Sequence, residues 1–308
     1  MRKIAFLFAG QGSQYPGMGK ELADRSSAAA EVFALADRLR PGTAAQCFAG
    51  SKEELSRTCN TQPCVYCVDL AAAMALRQAG VVPQAVAGFS LGEVAALTFA
   101  GAFSPEEGFD FVCRRGGWMD QAAQHRPSSM SAVLKLSNEK VEQLCQDFLK
   151  VYPVNYNCPG QLVVAGKPEE LEAFGARVKE EGGKAVPLAV SGGFHSPFMD
   201  EAAQEIAAHL EQSGLKAPQI PVYANRTAQP YPQDAGECRH LLAEQVSHPV
   251  QWQKTLEEMA AQGIDTFIEV GPGKTLSGLV KKTLGAQVTI LRVEDSATLE
   301  ETLGALAE

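Results

Sequence analysis

Between Gln84 and Ala100 the chain reads Gln84-Ala-Val-Ala-Gly-Phe-Ser90-Leu-Gly-Glu-Val-Ala-Ala-Leu-Thr-Phe-Ala100. Gln84 to Ala87 reads as a short buried strand, and Glu93 to Ala100 as the helix that follows. Between them stands Gly88-Phe89-Ser90-Leu91-Gly92, a G-x-S-x-G. In that context the pattern describes a nucleophile elbow, a tight turn that lifts the serine hydroxyl clear of a sheet. The flanking glycines relieve crowding, and the helix N-terminus lies under the serine. Ser90 is therefore a candidate acyl-accepting nucleophile. A plain glycine-serine turn carries the same short pattern, and the flanks favour the elbow.

Working outward, strands and helices alternate. Ile4–Ala9 reads as a strand and Met18–Leu39 as helical, broken by Pro41-Gly42. Ser51-Lys-Glu-Glu54 and Ser104-Pro-Glu-Glu107 both look like capping boxes, the second launching a helix to about Gln124. A long apolar helix runs from Thr61-Gln-Pro63 through Ala79, with Pro63 near its first turn. This alternation indicates a mostly parallel sheet with covering helices.

From Ser129 the rhythm changes. Strands at Ser131–Leu136, Val151–Asn157, Gln161–Gly166 and Lys184–Val190 interleave with helices at Asn138–Lys150 and Pro168–Glu181. That β-α-β-β-α-β order is the split ferredoxin-like unit. Parallel-sheet features resume at Thr266–Val270, so the small unit (129–190) is inserted into a catalytic one (1–128 and 191–308).

At 308 residues the chain can bury one large core plus a small satellite, and 45% hydrophobic with 20% charged residues suits a globular enzyme. No apolar run approaches the roughly 20 residues of a membrane helix. Met1-Arg-Lys-Ile-Ala-Phe-Leu-Phe-Ala9 has the start of a leader, but Gly10-Gln-Gly-Ser-Gln14 interrupts it, and a first strand is the better reading. Eight scattered cysteines suggest reduced thiols in a cytoplasm. A net charge of −9 argues against nucleic-acid binding while leaving room for an acidic protein partner.

A serine nucleophile needs a base, and the chain has five histidines. His195 differs from His125, His209, His240 and His248 because Ser196 and Pro197 look like the N-cap and first position of a helix. A helix N-terminus there would favour neutral imidazole, the form a general base requires. No acidic residue stands at a strand end as a third triad member. A dyad oriented by a backbone carbonyl would serve equally well.

Gly10-Gln11-Gly12 fails the dinucleotide fingerprint, because Tyr15 replaces its third glycine. The turn is either structural or a source of N–H groups for an oxyanion, together with the amide of Leu91. Arg115 precedes two glycines on a helix, where glycine costs roughly 1 kcal/mol. It is either half of a surface salt bridge or a bidentate partner for a substrate carboxylate. Cys64-Val-Tyr-Cys67 lacks a second pair and falls on an apolar helix, so core thiols are expected and no metal. Gly271-Pro-Gly-Lys274 is a strand-to-helix turn and no phosphate loop.

These pieces in this order resemble the malonyl-CoA:acyl carrier protein transacylases over essentially the whole chain. The marks are Gly10-Gln-Gly-Ser-Gln14, Thr61-Gln-Pro63, Gly88-Phe-Ser-Leu-Gly-Glu93 and Arg115-Gly116 with Met119. Further along come Asn157-Cys-Pro-Gly-Gln161, Phe194-His-Ser196 with Met199, Pro249-Val-Gln-Trp252 and Glu269-Val-Gly-Pro-Gly-Lys274. The resemblance implies an α/β-hydrolase-like large domain with an inserted ferredoxin-like one, and ping-pong transfer of malonyl from malonyl-CoA to the phosphopantetheine thiol of an acyl carrier protein. Ser90 would attack, His195 take its proton, and the backbone amides of Gln11 and Leu91 hold the oxyanion. Arg115 would pair with the malonyl carboxylate, and Gln11, Gln251 and Met119 would line the site. The main-chain carbonyl of Gln251 would orient the histidine. Phe194 would crowd an α-methyl group, a preference of about 1–3 kcal/mol for malonyl. The resemblance further implies a cytoplasmic monomer serving fatty-acid synthesis with no bound cofactor.

Three departures stand out. Phe89 occupies a position where many relatives carry histidine, and a changed pocket wall is expected. Arg126-Pro-Ser-Ser-Met130 replaces a glycine-rich entry to the small domain. Gly192-Gly193-Phe194 replaces bulkier residues, with a looser His195 as the expectation. The alternatives are an acyltransferase of broader or polyketide-pathway specificity, a thioester hydrolase, and an idle carrier-docking module. Arg115 disfavours simple acyl chains, because a buried guanidinium left unpaired is costly. Both Ser90 and His195 are present, against the idle module.

Overall fold

The computed structural model describes residues 2–307. Met1 and Glu308, which the sequence division counts in the catalytic unit, lie outside the described residues. Five strands form the larger sheet: β1 (Ile4–Phe8), β2 (Ala85–Gly88), β7 (Val222–Tyr223), β8 (Thr266–Val270) and β9 (Thr289–Val293). Their order is β7-β2-β1-β8-β9, and every neighbouring pair is parallel. Alternation along the strands gives the sheet two buried faces. Phe6, Phe8, Val86, Ile268 and Val270 point into one core with the helices Ser27–Leu39, Thr58–Gln78 and Pro105–His125. Ala5, Leu7, Ala85, Ala87 and Phe267 point the other way, onto Trp252, Leu256 and Met259.

The smaller sheet is antiparallel throughout. Its strands are β3 (Ser129–Leu134), β4 (Val151–Cys158), β5 (Gln161–Gly166) and β6 (Lys184–Pro187), in the order β4-β5-β3-β6. Val133, Leu162 and Val164 face the two helices of this unit, around Phe174. Ala132, Val163 and Ala165 face the main core instead, which seats the small sheet on the large unit. A second tie is backbone to backbone: Val250 N–H donates to Val154 at 2.8 Å, and Tyr156 N–H donates to Val250 at 2.9 Å.

The element limits differ from the sequence reading at a few places. The stretch Met18–Leu39 holds two helices, Lys20–Arg25 and Ser27–Leu39, because Ser26 leaves helical geometry and caps the second by accepting from Ala29 N–H. The long apolar helix begins at Thr58, which places Pro63 within its body. The helix after Ser137 stops at Cys145, and β6 stops at Pro187, which has no N–H to give a partner strand. Ser104 and Glu107 form the reciprocal capping box, and that helix runs to His125.

Candidate active site

The elbow is built by close backbone crossing. A Cβ on Gly92 would lie 2.3 Å from the carbonyl oxygen of Phe8, and one on Gly88 would lie 1.9 Å from the backbone of Gly92. Only glycine lets the helix start this near the strand ends. The turn holds Ser90 at φ 53° and ψ −104°, a strained conformation for a residue with a side chain. Ser90 N–H donates to Asn225 Oδ1 at 2.7 Å, and its carbonyl accepts from Gln245 Nε2 at 2.7 Å.

His195 is buried, with Nε2 2.7 Å from Ser90 Oγ. Its Nδ1 faces two carbonyl oxygens, Gln245 at 2.9 Å and His248 at 3.2 Å. Carbonyls only accept, so Nδ1 carries the proton and Nε2 offers its lone pair to the serine. Burial lowers the imidazole to about 4, and the positive charge of Arg115 acts in the same direction. The neutral form thus follows from burial and a nearby cation. The helix after His195 opens as a 3₁₀ turn, Pro197–Met199, with Ser196 Oγ accepting from Phe198 N–H, and continues as the α-helix Asp200–Leu210.

Arg115 is completely buried, which removes the surface salt-bridge reading. Nη1 donates to Gln62 Oε1 at 2.6 Å and Nη2 to Gln245 Oε1 at 2.8 Å, with Ser90 Oγ 3.4 Å from Nη2. Among the described residues no carboxylate forms an ion pair with it, and its Nε–H has no acceptor. A buried cation held by neutral amides with donors to spare is a receptor for an anion. Gly116 lets the helix pack closely: a Cβ there would lie 3.1–3.3 Å from Gln62 and Cys59. Nothing in the structure explains Gly117, whose Cβ would meet open space.

Gln11 sits on the turn after β1 and accepts from Gln62 Nε2 at 3.2 Å, linking it to Arg115 through one residue. Gln11 and Phe89 line a cleft of about 470 Å³ whose opposite wall comes from the small unit, including Ala132, Asn155 and Val163. Phe89 packs edge-on against Trp252 at 5.3 Å, so the residue beside the nucleophile is an apolar wall, as its side chain requires. Leu91 is fully buried with its amide at the helix start. Met119 lies one helical turn beyond Arg115, and it and Phe194 are buried in the main core.

Gln251 corrects the sequence reading. Its carbonyl accepts from Thr255 N–H and Thr255 Oγ1, both at 2.9 Å, because it caps the helix Trp252–Ala261. The carbonyls that face His195 Nδ1 belong to Gln245, six positions earlier in the one-turn helix Gln245–Ser247, and to His248 just after it. Gln62, Asn225 and Gln245 were missed as site residues. Only Gln62 left a trace, inside the Thr61-Gln-Pro63 motif. The loop departures also read differently in three dimensions. Gly193 N–H donates to Ser128 Oγ at 2.8 Å, and a Cβ on Gly193 would lie 2.9 Å from Phe198. The small residues before His195 are therefore tightly packed and bound to the Arg126–Met130 segment.

Comparison with known proteins follows the same lines. A family model described as an acyl transferase domain matches residues 5–302. The malonyl CoA-acyl carrier protein transacylase of Bacillus subtilis (strain 168) is 38% identical, the match covering 100% of this chain and 98% of that one. The crystal structure of the malonyl CoA-acyl carrier protein transacylase from Clostridium perfringens superposes with a TM-score of 0.95 at 38% identity, over 99% and 97% of the two chains. A chain in the solved complex of a type II polyketide-synthase acyl-carrier protein with its malonyl-transacylase matches with a TM-score of 0.94 at 34% identity, over 98% of this chain and 99% of that one.

Proposed function

The chain belongs to the acyl transferase domain family, and on that premise we propose that it moves malonyl from malonyl-CoA to an acyl carrier protein through a malonyl-Ser90 intermediate. One observation carries the reading: Ser90 Oγ stands 2.7 Å from a buried neutral imidazole and 3.4 Å from a buried guanidinium that makes no direct ion pair among the described residues, Glu93 being the acidic group whose charge reaches it. The first contact is what acyl transfer needs, and the second is what an acyl group ending in a carboxylate needs.

As Oγ attacks the thioester carbonyl, His195 Nε2 takes its proton, and the amides of Gln11 and Leu91 receive the oxyanion. Collapse breaks the C–S bond, and His195 returns the proton to the leaving thiolate. The phosphopantetheine thiol of the carrier then gives its proton to His195 and attacks the malonyl ester; collapse breaks the C–O bond to Ser90, and His195 returns the proton to Ser90 Oγ. Arg115 pairs with the malonyl carboxylate through both cycles, and Phe194 and Met119 bound the space near it. The Gln245 and His248 carbonyls do the orienting work of a triad acid, which makes Ser90 and His195 a dyad.

We infer that malonyl-CoA is the substrate, with no resident cofactor, and that the chain acts as a cytoplasmic monomer in fatty-acid synthesis. Among the described residues no helix is long and apolar enough to cross a membrane. Intact-protein mass spectrometry after brief incubation with malonyl-CoA tests the reading. A malonyl adduct that Ser90→Ala abolishes, and that a phosphopantetheinylated carrier discharges faster than water does, is expected. Equal loading from acetyl-CoA would move the protein to a broader acyltransferase, and release of free acid without carrier would make it a hydrolase.

A further inference from the structure

Glu93 lies three residues beyond the nucleophile, on the first turn of the helix that the elbow opens, and is 1% exposed. The acyl-transfer chemistry gives it no task. Its Oε2 accepts from Asn225 N–H at 2.8 Å and from Gln245 Nε2 at 3.2 Å, while Oε1 accepts from the Tyr231 hydroxyl. Those first two partners are the residues that grip Ser90. Asn225 takes the Ser90 N–H and also donates to Gly88 O at 2.6 Å, on the strand side of the turn. Gln245 donates to the Ser90 carbonyl, accepts from Arg115, and presents the carbonyl that orients His195. Both hands on the strained Ser90 backbone are thus held by one oxygen.

We propose that Glu93 is a positioning residue for acyl transfer, fixing Asn225 and Gln245 so that Ser90, His195 and Arg115 converge. The proposal rests on the reading of Ser90 as the malonyl-accepting nucleophile. The feature that matters is an acceptor at the place of Oε2, at the reach of a glutamate. Glutamine can supply it, with its amide N–H turned to the Tyr231 oxygen. Aspartate keeps the charge but falls one methylene short of both donors. Burial pushes the Glu93 carboxyl up to about 7, while the donors Tyr231, Asn225 and Gln245 and the positive charge of Arg115 hold it down.

Glu93→Gln, Glu93→Asp and Glu93→Ala separate these features. Rapid-quench mass spectrometry would give the rate of malonyl-adduct formation, steady-state transfer to carrier protein the split between kcat and KM, and thermal unfolding the folded fraction. Glu93→Gln is expected to stay within fivefold of wild type. Glu93→Asp and Glu93→Ala are expected to lose at least fiftyfold per folded molecule, mostly in kcat. If Glu93→Ala does not fold, the glutamine–aspartate pair decides alone. Aspartate matching wild type while glutamine fails would overturn the proposal in favour of charge alone, and so would wild-type rates in every folded variant. Absence of an adduct in wild type would instead remove the functional reading.

Discussion

His195 reaches Ser90 at 2.7 Å across a sequence separation of 105 residues, and it does so with its other ring nitrogen tied to main-chain carbonyls. The consequence is a base whose tautomer is set by groups that never change protonation. A triad carboxylate would raise the imidazole pKa by its negative charge. Carbonyl dipoles do so weakly, and burial and Arg115 win.

The pH dependence follows with a definite sign. In the proposed mechanism His195 acts as the neutral base, and its folded value of about 4 lies below the ordinary 6.5. The acid limb of kcat/KM for adduct formation is therefore expected well below pH 6.5, with most activity retained at pH 5.5. The same shift bears on stability. Between about pH 4 and 6.5 the unfolded chain binds the proton more readily, so the His195 contribution is full above 6.5 and is lost as pH falls through about 4. A limb centred at 6.5 would contradict the arrangement.

The proposed pairing of Arg115 with the malonyl carboxylate makes the choice of acyl group testable. Arg115→Ala is expected to slow malonyl loading by about 10–100-fold, the worth of a charge-assisted hydrogen bond, while acetyl loading rises relative to it. Arg115→Lys should resemble alanine more than wild type, because an ammonium cannot present two parallel N–H groups. Adduct ratios from competing thioesters measure both effects. An unchanged malonyl-to-acetyl ratio in Arg115→Ala would sink the carboxylate role.

Gln245 and Gln251 make a matched pair. Gln245→Ala strips contacts to Ser90, Arg115 and Glu93 together and should cost on the order of 100-fold in kcat. Gln251 is half-buried, and Gln251→Ala leaves its helix-capping carbonyl in place and breaks no side-chain hydrogen bond, so it should change kcat by less than about threefold. Steady-state transfer rates for the two variants decide whether the site is assigned to the right glutamine.

Two glycines should move stability in opposite directions. Gly92→Ala drives a methyl group against the Phe8 carbonyl and should destabilise by at least about 2–3 kcal/mol. Gly117→Ala adds a methyl to an open helix position and should stabilise by roughly 0.5–1 kcal/mol. Chemical denaturation of both variants is the measurement, and a stabilised Gly92→Ala would refute the account of the elbow.

Much of this molecule was legible in the linear chain because the decisive signals are local. The strand, glycine turn and helix around Ser90 are consecutive, so backbone sterics alone dictate the elbow. The alternation of strand and helix patterns likewise dictated a parallel sheet, and the β-α-β-β-α-β run a separate small one. Ser90, His195 and Arg115 each carried a local oddity: an elbow, a capped loop, a cation before two glycines.

The tertiary structure alone decided who holds whom. Gln245 and Asn225 act through a backbone carbonyl and side-chain amides, groups that glutamine and asparagine present anywhere and that leave no pattern in sequence. The choice between Gln245 and Gln251 turned on which carbonyl a helix leaves free, a matter of one turn of backbone geometry. Burial of Arg115, and hence its fitness to receive a carboxylate, came from the packing of separate helices. Local chemistry is written in neighbouring residues, whereas hydrogen bonds across more than a hundred positions exist only once the chain has closed on itself.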